Sequence, residues 1–139
     1  MASTEAKRIE VIMNAMHSNG GSRVILALAG LFGATGVVAG AFSAHGLSAF
    51  AEPRLVEIFK TGAHYHLIHA VALLALASRT GPWATFSALA FTAGILVFSG
   101  SLYLRVLTDI AGFGAITPWG GLAFILGWLA LILAAWRQR

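Results

Sequence analysis

Trp119-Gly120-Gly121-Leu122-Ala123-Phe124-Ile125-Leu126-Gly127-Trp128-Leu129-Ala130-Leu131-Ile132-Leu133-Ala134-Ala135-Trp136 contains no charged side chain. An apolar run of about 18 residues or more is long enough to cross a bilayer as a helix. Tryptophan at both ends suits the two membrane–water interfaces. Thr117 and Pro118 stand before it as a capping residue and a proline at the first helical position. Arg137-Gln138-Arg139 closes it.

Upstream, the pattern recurs. A first span is expected at about 23–42, rich in glycine and alanine. Gly33, Gly36 and Gly40 lie on it, and Gly36 and Gly40 form a small-xxx-small pair of the kind that brings membrane helices close. This helix is therefore expected to be central and protein-facing. A second span at about 63–78 has a short apolar part, Leu67 to Ala77. It crosses only if its polar foot, with His64, Tyr65 and His66, enters the headgroups or the interior of the protein. Arg79-Thr80-Gly81-Pro82 is a tight turn, and a third span follows at about 83–104 with Trp83 and Tyr103 near its ends. Gly94 and Gly100 in this span, and Gly120, Gly121 and Gly127 in the last, are further close-packing positions.

The composition agrees. Of 139 residues, 58% are hydrophobic and 10% charged, and the mean hydropathy is +0.83. A soluble domain is about 45–50% apolar and about 25% charged. A water-soluble enzyme and a disordered chain are both excluded on this ground. Four spans of about 20 residues leave room for loops and no second domain. The chain has no cysteine, so disulfides, thiolate metal sites and cysteine nucleophiles are excluded. The net charge is +4, but the nine basic residues flank apolar runs, which is the signature of topology and not of nucleic-acid binding.

Residues 1–22 are the most polar part. Ile9, Ile12, Met13 and Met16 follow helical spacing, which fits either a surface helix on the bilayer or a mobile tail. Asn19-Gly20-Gly21 is expected to break the chain. Residues 43–62 form the longest connection. There Pro53 starts a short interfacial helix or the amphipathic foot of the second span, with Arg54, Glu57 and Lys60 toward water. With four spans, both ends of the chain share one side. That side holds Lys7, Arg8, Arg23, Arg79, Arg137 and Arg139, against Arg54, Lys60 and Arg105 on the other, which favours cytoplasmic termini.

Polar chemistry concentrates in the histidines. His45 follows the end of the first span, and His64, His66 and His69 open the second. His66 and His69 share a helix face, as do Tyr65 and His69. Imidazole binds transition metals and relays protons near neutral pH. The plainer reading is that these rings bond backbone carbonyls and hydroxyls at helix ends. His69 stands out, because an ionisable group inside a span is a functional candidate by default. Ser99 and Ser101 add hydroxyls to the third span, with helix packing as the plainer reading and a lined cavity as the other. Asp109 belongs to a loop, near enough in sequence to pair with Arg105. No nucleotide loop, HExxH or G-x-S-x-G motif is present.

Several segments carry a resemblance. Gly40-Ala41-Phe42-Ser43-Ala44-His45-Gly46-Leu47 is similar to a stretch of the YgdD/YwdK-type family of small membrane proteins, a domain of unknown function. Phe59-Lys60-Thr61-Gly62, with Tyr65 and His69, resembles its F-x-T-G-x-x-Y-x-x-x-H segment, and Phe98-Ser99-Gly100-Ser101-Leu102-Tyr103 its FSGSLY stretch. Thr117-Pro118-Trp119-Gly120-Gly121 with Gly127-Trp128 resembles its last segment. The resemblance implies a four-helix protein of the bacterial inner membrane with no established activity, substrate or cofactor. It marks His45, Thr61, Tyr65, His69, Ser99 and Ser101 as pattern positions. His64 and His66 fall in variable places, which weakens a metal site built on His45, His66 and His69.

The expectation is an all-α membrane protein, a compact bundle of four transmembrane helices with a short interfacial helix between spans 1 and 2. Its expected partners are the lipid bilayer and either further copies or a larger membrane complex, and not nucleic acid. The expected role is non-enzymatic, as an accessory or self-associating protein. The alternative is a carrier or sensor of a proton, metal ion or small polar ligand through His45, Tyr65 and His69.

Overall fold

The structure is a computed structural model that describes residues 2–137, apart from the side chains of residues 2, 3, 11–19 and 137. All regular structure among the described residues is helical. Helix α1 spans Ala2–Ala41 and runs into a π-helical turn, Phe42–Gly46, and a short 3-10 turn, Leu47–Ala49. Helix α2 spans Pro53–Leu76 and α3 spans Pro82–Gly94. A second π turn, Ile95–Ser99, joins α3 to α4, Gly100–Thr108. A 3-10 turn at Ala111–Ala115 leads to α5, Thr117–Arg137.

Among the described residues, three helical segments are long and apolar enough to cross a membrane: Gly20–Ala49, Pro82–Thr108 and Ala111–Trp136. This corrects the expected count of four. The segment 63–78 is not among them, because Lys60, His64, His66 and His69 lower the mean hydropathy of α2. The orientation arithmetic needed an even number of crossings and loses its basis with the fourth span. The separate interfacial helix is also corrected. Pro53 opens α2 itself, and the helix continues through Thr61-Gly62 to Leu76. Nor do Gly20 and Gly21 break the chain, since α1 is continuous through them. The surface-helix reading of Ile12, Met13 and Met16 rests on side chains outside the described residues, and Arg139 lies outside them as well.

The turns follow local chemistry. Glu52 stands extended at ψ 142°, and its carbonyl accepts from Leu55 and Val56 at 2.9 and 3.1 Å, which starts α2 behind Pro53. Gly81 takes φ +111°, a conformation open to glycine and strained for other residues, and so lets the chain reverse into α3. Asp109 ends α4 in the left-handed region at φ 55°. It makes no ion pair with Arg105; the one ion pair among the described residues is Lys60 with Glu57 at 2.8 Å.

The central helix is α2 and not α1. It packs against α1, α3, the second π turn and α4, and α5 in turn packs on α3. The main core joins Phe32 of α1, Leu73 of α2, Phe91 of α3, Ile95 and Phe124 of α5. A smaller cluster of Leu47, Val56, Phe59 and Val106 closes one end. Polar bonds tie the helices together. The Ser22 hydroxyl donates to the Ala77 carbonyl. The fully buried Ser87 reaches the Trp83 and Gly127 carbonyls, each at 2.9 Å, which links α3 to α5.

Of the eight glycines expected to allow close packing, four hold helices in tight contact. Gly36 meets Leu67 and His66, and Gly120 lies against the backbone of Phe98. Gly121 touches the Phe98 ring more loosely. Gly33, Gly40 and Gly100 face open space. Gly94 and Gly127 are tight against Phe124 and Phe91, and so is Gly62, not among the eight, against Tyr103.

Candidate functional site

The polar interior is built on α2, where the i, i+3 spacing of His66 and His69 points both rings into the protein. Both are buried, at 6% and 3% exposure. They serve different neighbours.

His69 is fixed by two partners with single roles. Its Nδ1 lies 2.7 Å from the Tyr65 carbonyl, which can only accept. Its Nε2 lies 3.2 Å from Trp128 Nε1, which can only donate. The ring is therefore the neutral tautomer with the proton on Nδ1. Its lone pair on Nε2 is already taken by the indole N–H. The ring stacks on Phe124 at 3.5 Å and 8°, and Phe91 and Tyr65 complete the enclosure.

His66 sits in a three-member chain. Its Nε2 is 3.4 Å from Thr35 Oγ1, and its Nδ1 is 3.2 Å from the Tyr103 hydroxyl. Thr35 donates its hydrogen to the Leu31 carbonyl at 2.8 Å, so it accepts from His66. The proton then sits on Nε2, and Tyr103 donates to Nδ1. This chain joins α1, α2 and α4. Tyr103, expected near an interface, instead gives its hydroxyl to this histidine.

Burial disfavours the charged imidazolium and lowers both histidines below the ordinary value of 6.5, with the Tyr65 carbonyl partly opposing this at His69. The sign follows from linkage. The unfolded chain takes up protons near pH 6.5 and the folded chain resists them, so stability is full above 6.5 and falls as the pH drops below it. The expected slope in detergent approaches about 1.4 kcal/mol per pH unit for each histidine. Unfolding followed from pH 8 to pH 5 checks this, and His69→Gln should flatten the slope.

The remaining candidates are dispersed. His45 is exposed on the first π turn, and the hydrogen bonds and ring contacts of Tyr65 and His69 run to α3, α5 and Phe98 and not to it. Tyr65 is 41% exposed and stacks on His69 at 12°. Thr61 is exposed and donates to the Glu57 carbonyl at 2.9 Å. Ser101 donates to the Phe98 carbonyl at 2.9 Å and meets the Thr117 hydroxyl at 2.7 Å, tying α4 to the first turn of α5. Ser99 is fully buried, and its hydroxyl has no hydrogen-bond partner among the described residues. Among the described residues no group of three or more His, Cys, Asp or Glu is placed to hold a metal ion.

Both π turns fall in the segments that carry the resemblance, the first within 40–47 and the second reaching into 98–103. Such turns are rare and cluster at functional sites. The profile of the family described as "Protein of unknown function (DUF423)" matches residues 39–121, which include both turns. The chain belongs to this family. It is 40% identical over 119 residues to the UPF0382 membrane protein YwdK of Bacillus subtilis, covering 81% of this chain and 96% of that one. It is 37% identical over 118 residues to a UPF0382 membrane protein of Haemophilus influenzae, covering 83% and 93%. It is 34% identical over 122 residues to the UPF0382 inner membrane protein YgdD of Escherichia coli, covering 85% and 93%. No solved structure matches the chain. The protein is thus a membrane protein of a family with no assigned activity.

Sequence reasoning missed Thr35 and Trp128 as the partners of the histidines. Trp128 carried one signal, the Gly127-Trp128 pair within the resembling segment. Thr35 carried none, because nothing local to α1 shows which of its faces α2 covers.

Proposed function

We propose that this family member is a non-enzymatic accessory protein of the bacterial cytoplasmic membrane, whose buried histidines hold helices together. The supporting observation is His69. Both of its ring nitrogens are occupied within the protein, by a carbonyl and an indole N–H, so no lone pair is left for a ligand. The name of the Escherichia coli relative supports the choice of membrane. The further partner is either another copy or a larger membrane complex, which fits the broad apolar exposure of α1 at Val24, Leu31, Val37 and Val38.

Metal analysis of the detergent-purified protein tests this reading. Parent and His69→Ala should both hold transition metal far below one ion per chain. Near-stoichiometric metal in the parent that disappears in the variant would overturn it. That result would establish the carrier or sensor reading instead.

A further inference from the structure

Charge is unequal at the two ends of the helical assembly. Around one end stand Arg54, Lys60 and Arg105 with Glu52, Glu57 and Asp109, so basic and acidic groups balance. At the other, the turn between α2 and α3 carries Arg79, and Arg23 of α1 is next to Ser22, whose hydroxyl bonds the end of α2. Arg79 is the only charged residue between Lys60 and Arg105. It is exposed and has no ion pair among the described residues.

Arg79 stands at the mouth of an apolar cleft of about 430 Å³ between α1 and α3, with Ile25 and Leu28 on one wall and Ala88 and Leu89 on the other. Further along, Leu31 of α1 and Leu96 of the second π turn line a separate cleft of about 500 Å³, which reaches Phe42. At 1.5 Å per residue, the two clefts lie in succession along about 30 Å of chain from Ser22 to Phe42, against a hydrocarbon layer of about the same thickness. An acyl chain laid along this face of α1 would meet both clefts. The first turn of α3 opens at the same mouth without a side-chain cap, so its N-terminal dipole adds positive potential there.

We propose that an anionic phospholipid binds this cleft, with its phosphate against Arg79 and an acyl chain between α1 and α3. The charge selects the occupant. A second copy docked side by side here would bring Arg79 and Arg23 toward their own counterparts, whereas a phosphodiester neutralises them. Basic pockets between membrane helices commonly recognise anionic headgroups.

The test uses the full chain in nanodiscs of equal phosphatidylglycerol and phosphatidylcholine, re-extracted in mild detergent and washed, with bound lipid counted by mass spectrometry. The parent should retain about one phosphatidylglycerol per chain, enriched at least fivefold over phosphatidylcholine. Arg79→Gln should bring the ratio near one, and Leu89→Trp, which fills the cleft and keeps the charge, should lower total retained lipid severalfold. Arg105→Gln, at the balanced end, should leave the enrichment intact. Equal retention of both lipids by the parent would overturn the proposal. So would enrichment that survives Arg79→Gln and Leu89→Trp, or that is lost as fully in Arg105→Gln. Displacement by 10 mM inorganic phosphate would also overturn it, by pointing to a free-anion site, as would a lipid-free parent dimer that buries Leu89. If Arg79→Gln fails to fold, Arg79→Met, which keeps an apolar stem and removes the charge, decides instead: a ratio near one supports the site, and unchanged enrichment counts against it.

Discussion

Gly120→Ala is expected to destabilise the protein by about 3 kcal/mol, near the upper end of what overpacking usually costs. A β-carbon at this position would fall on the backbone nitrogen and Cα of Phe98, where the start of α5 meets the second π turn. Backbone cannot rotate out of the way as a side chain can. The two segments would have to separate, which would also strain the adjoining bond between Ser101 and Thr117. The same change at Gly33 should be neutral, or stabilising by about 0.5–1 kcal/mol, because nothing lies within 4 Å and alanine favours the helix. Reversible unfolding in mixed detergent micelles, followed by circular dichroism, measures both. Equal stability of the two variants would show that the contact with Phe98 yields.

His69→Ala should cost about 2–3 kcal/mol, in the range of large-to-small core changes. The change removes the stack on Phe124, leaves a gap beside Phe91 and deprives the Trp128 indole of its acceptor. His69→Gln keeps an acceptor near the indole and should recover part of the loss. Trp128→Phe should cost about 1 kcal/mol, the usual net worth of one hydrogen bond. A double-mutant cycle between His69→Ala and Trp128→Phe should show coupling of about 1 kcal/mol, since the bond disappears in either single variant. Full additivity would mean that the bond contributes nothing. A loss well below 1 kcal/mol in His69→Ala would remove the argument that this histidine exists to join helices.

The two variants mark where sequence stops being informative. In the chain, Gly33 and Gly120 look alike, each a glycine in an apolar run. One faces open space and the other carries a backbone-to-backbone contact, and only the path of the second π turn past α5 separates them. His66 and His69 likewise stood out as neighbours sharing one helix face. Their partners lie 31 to 59 residues away, on α1, α4 and α5. The error over α2 has the same origin. Its apolar second half suggested a span, but the histidines and Lys60 of its first half leave it outside the three segments apolar enough to cross.

That the protein is helical and lives in a membrane could be read from the chain, because composition and hydropathy are sums over local residues. Its ordered motifs also carried the family. That α2 is the central helix, which glycines bear contacts, and that His69 is held neutral between a carbonyl and an indole emerge from the packed helices. Those properties depend on which helix faces come together. Interhelical packing sets that choice, and the local pattern of one helix does not encode it.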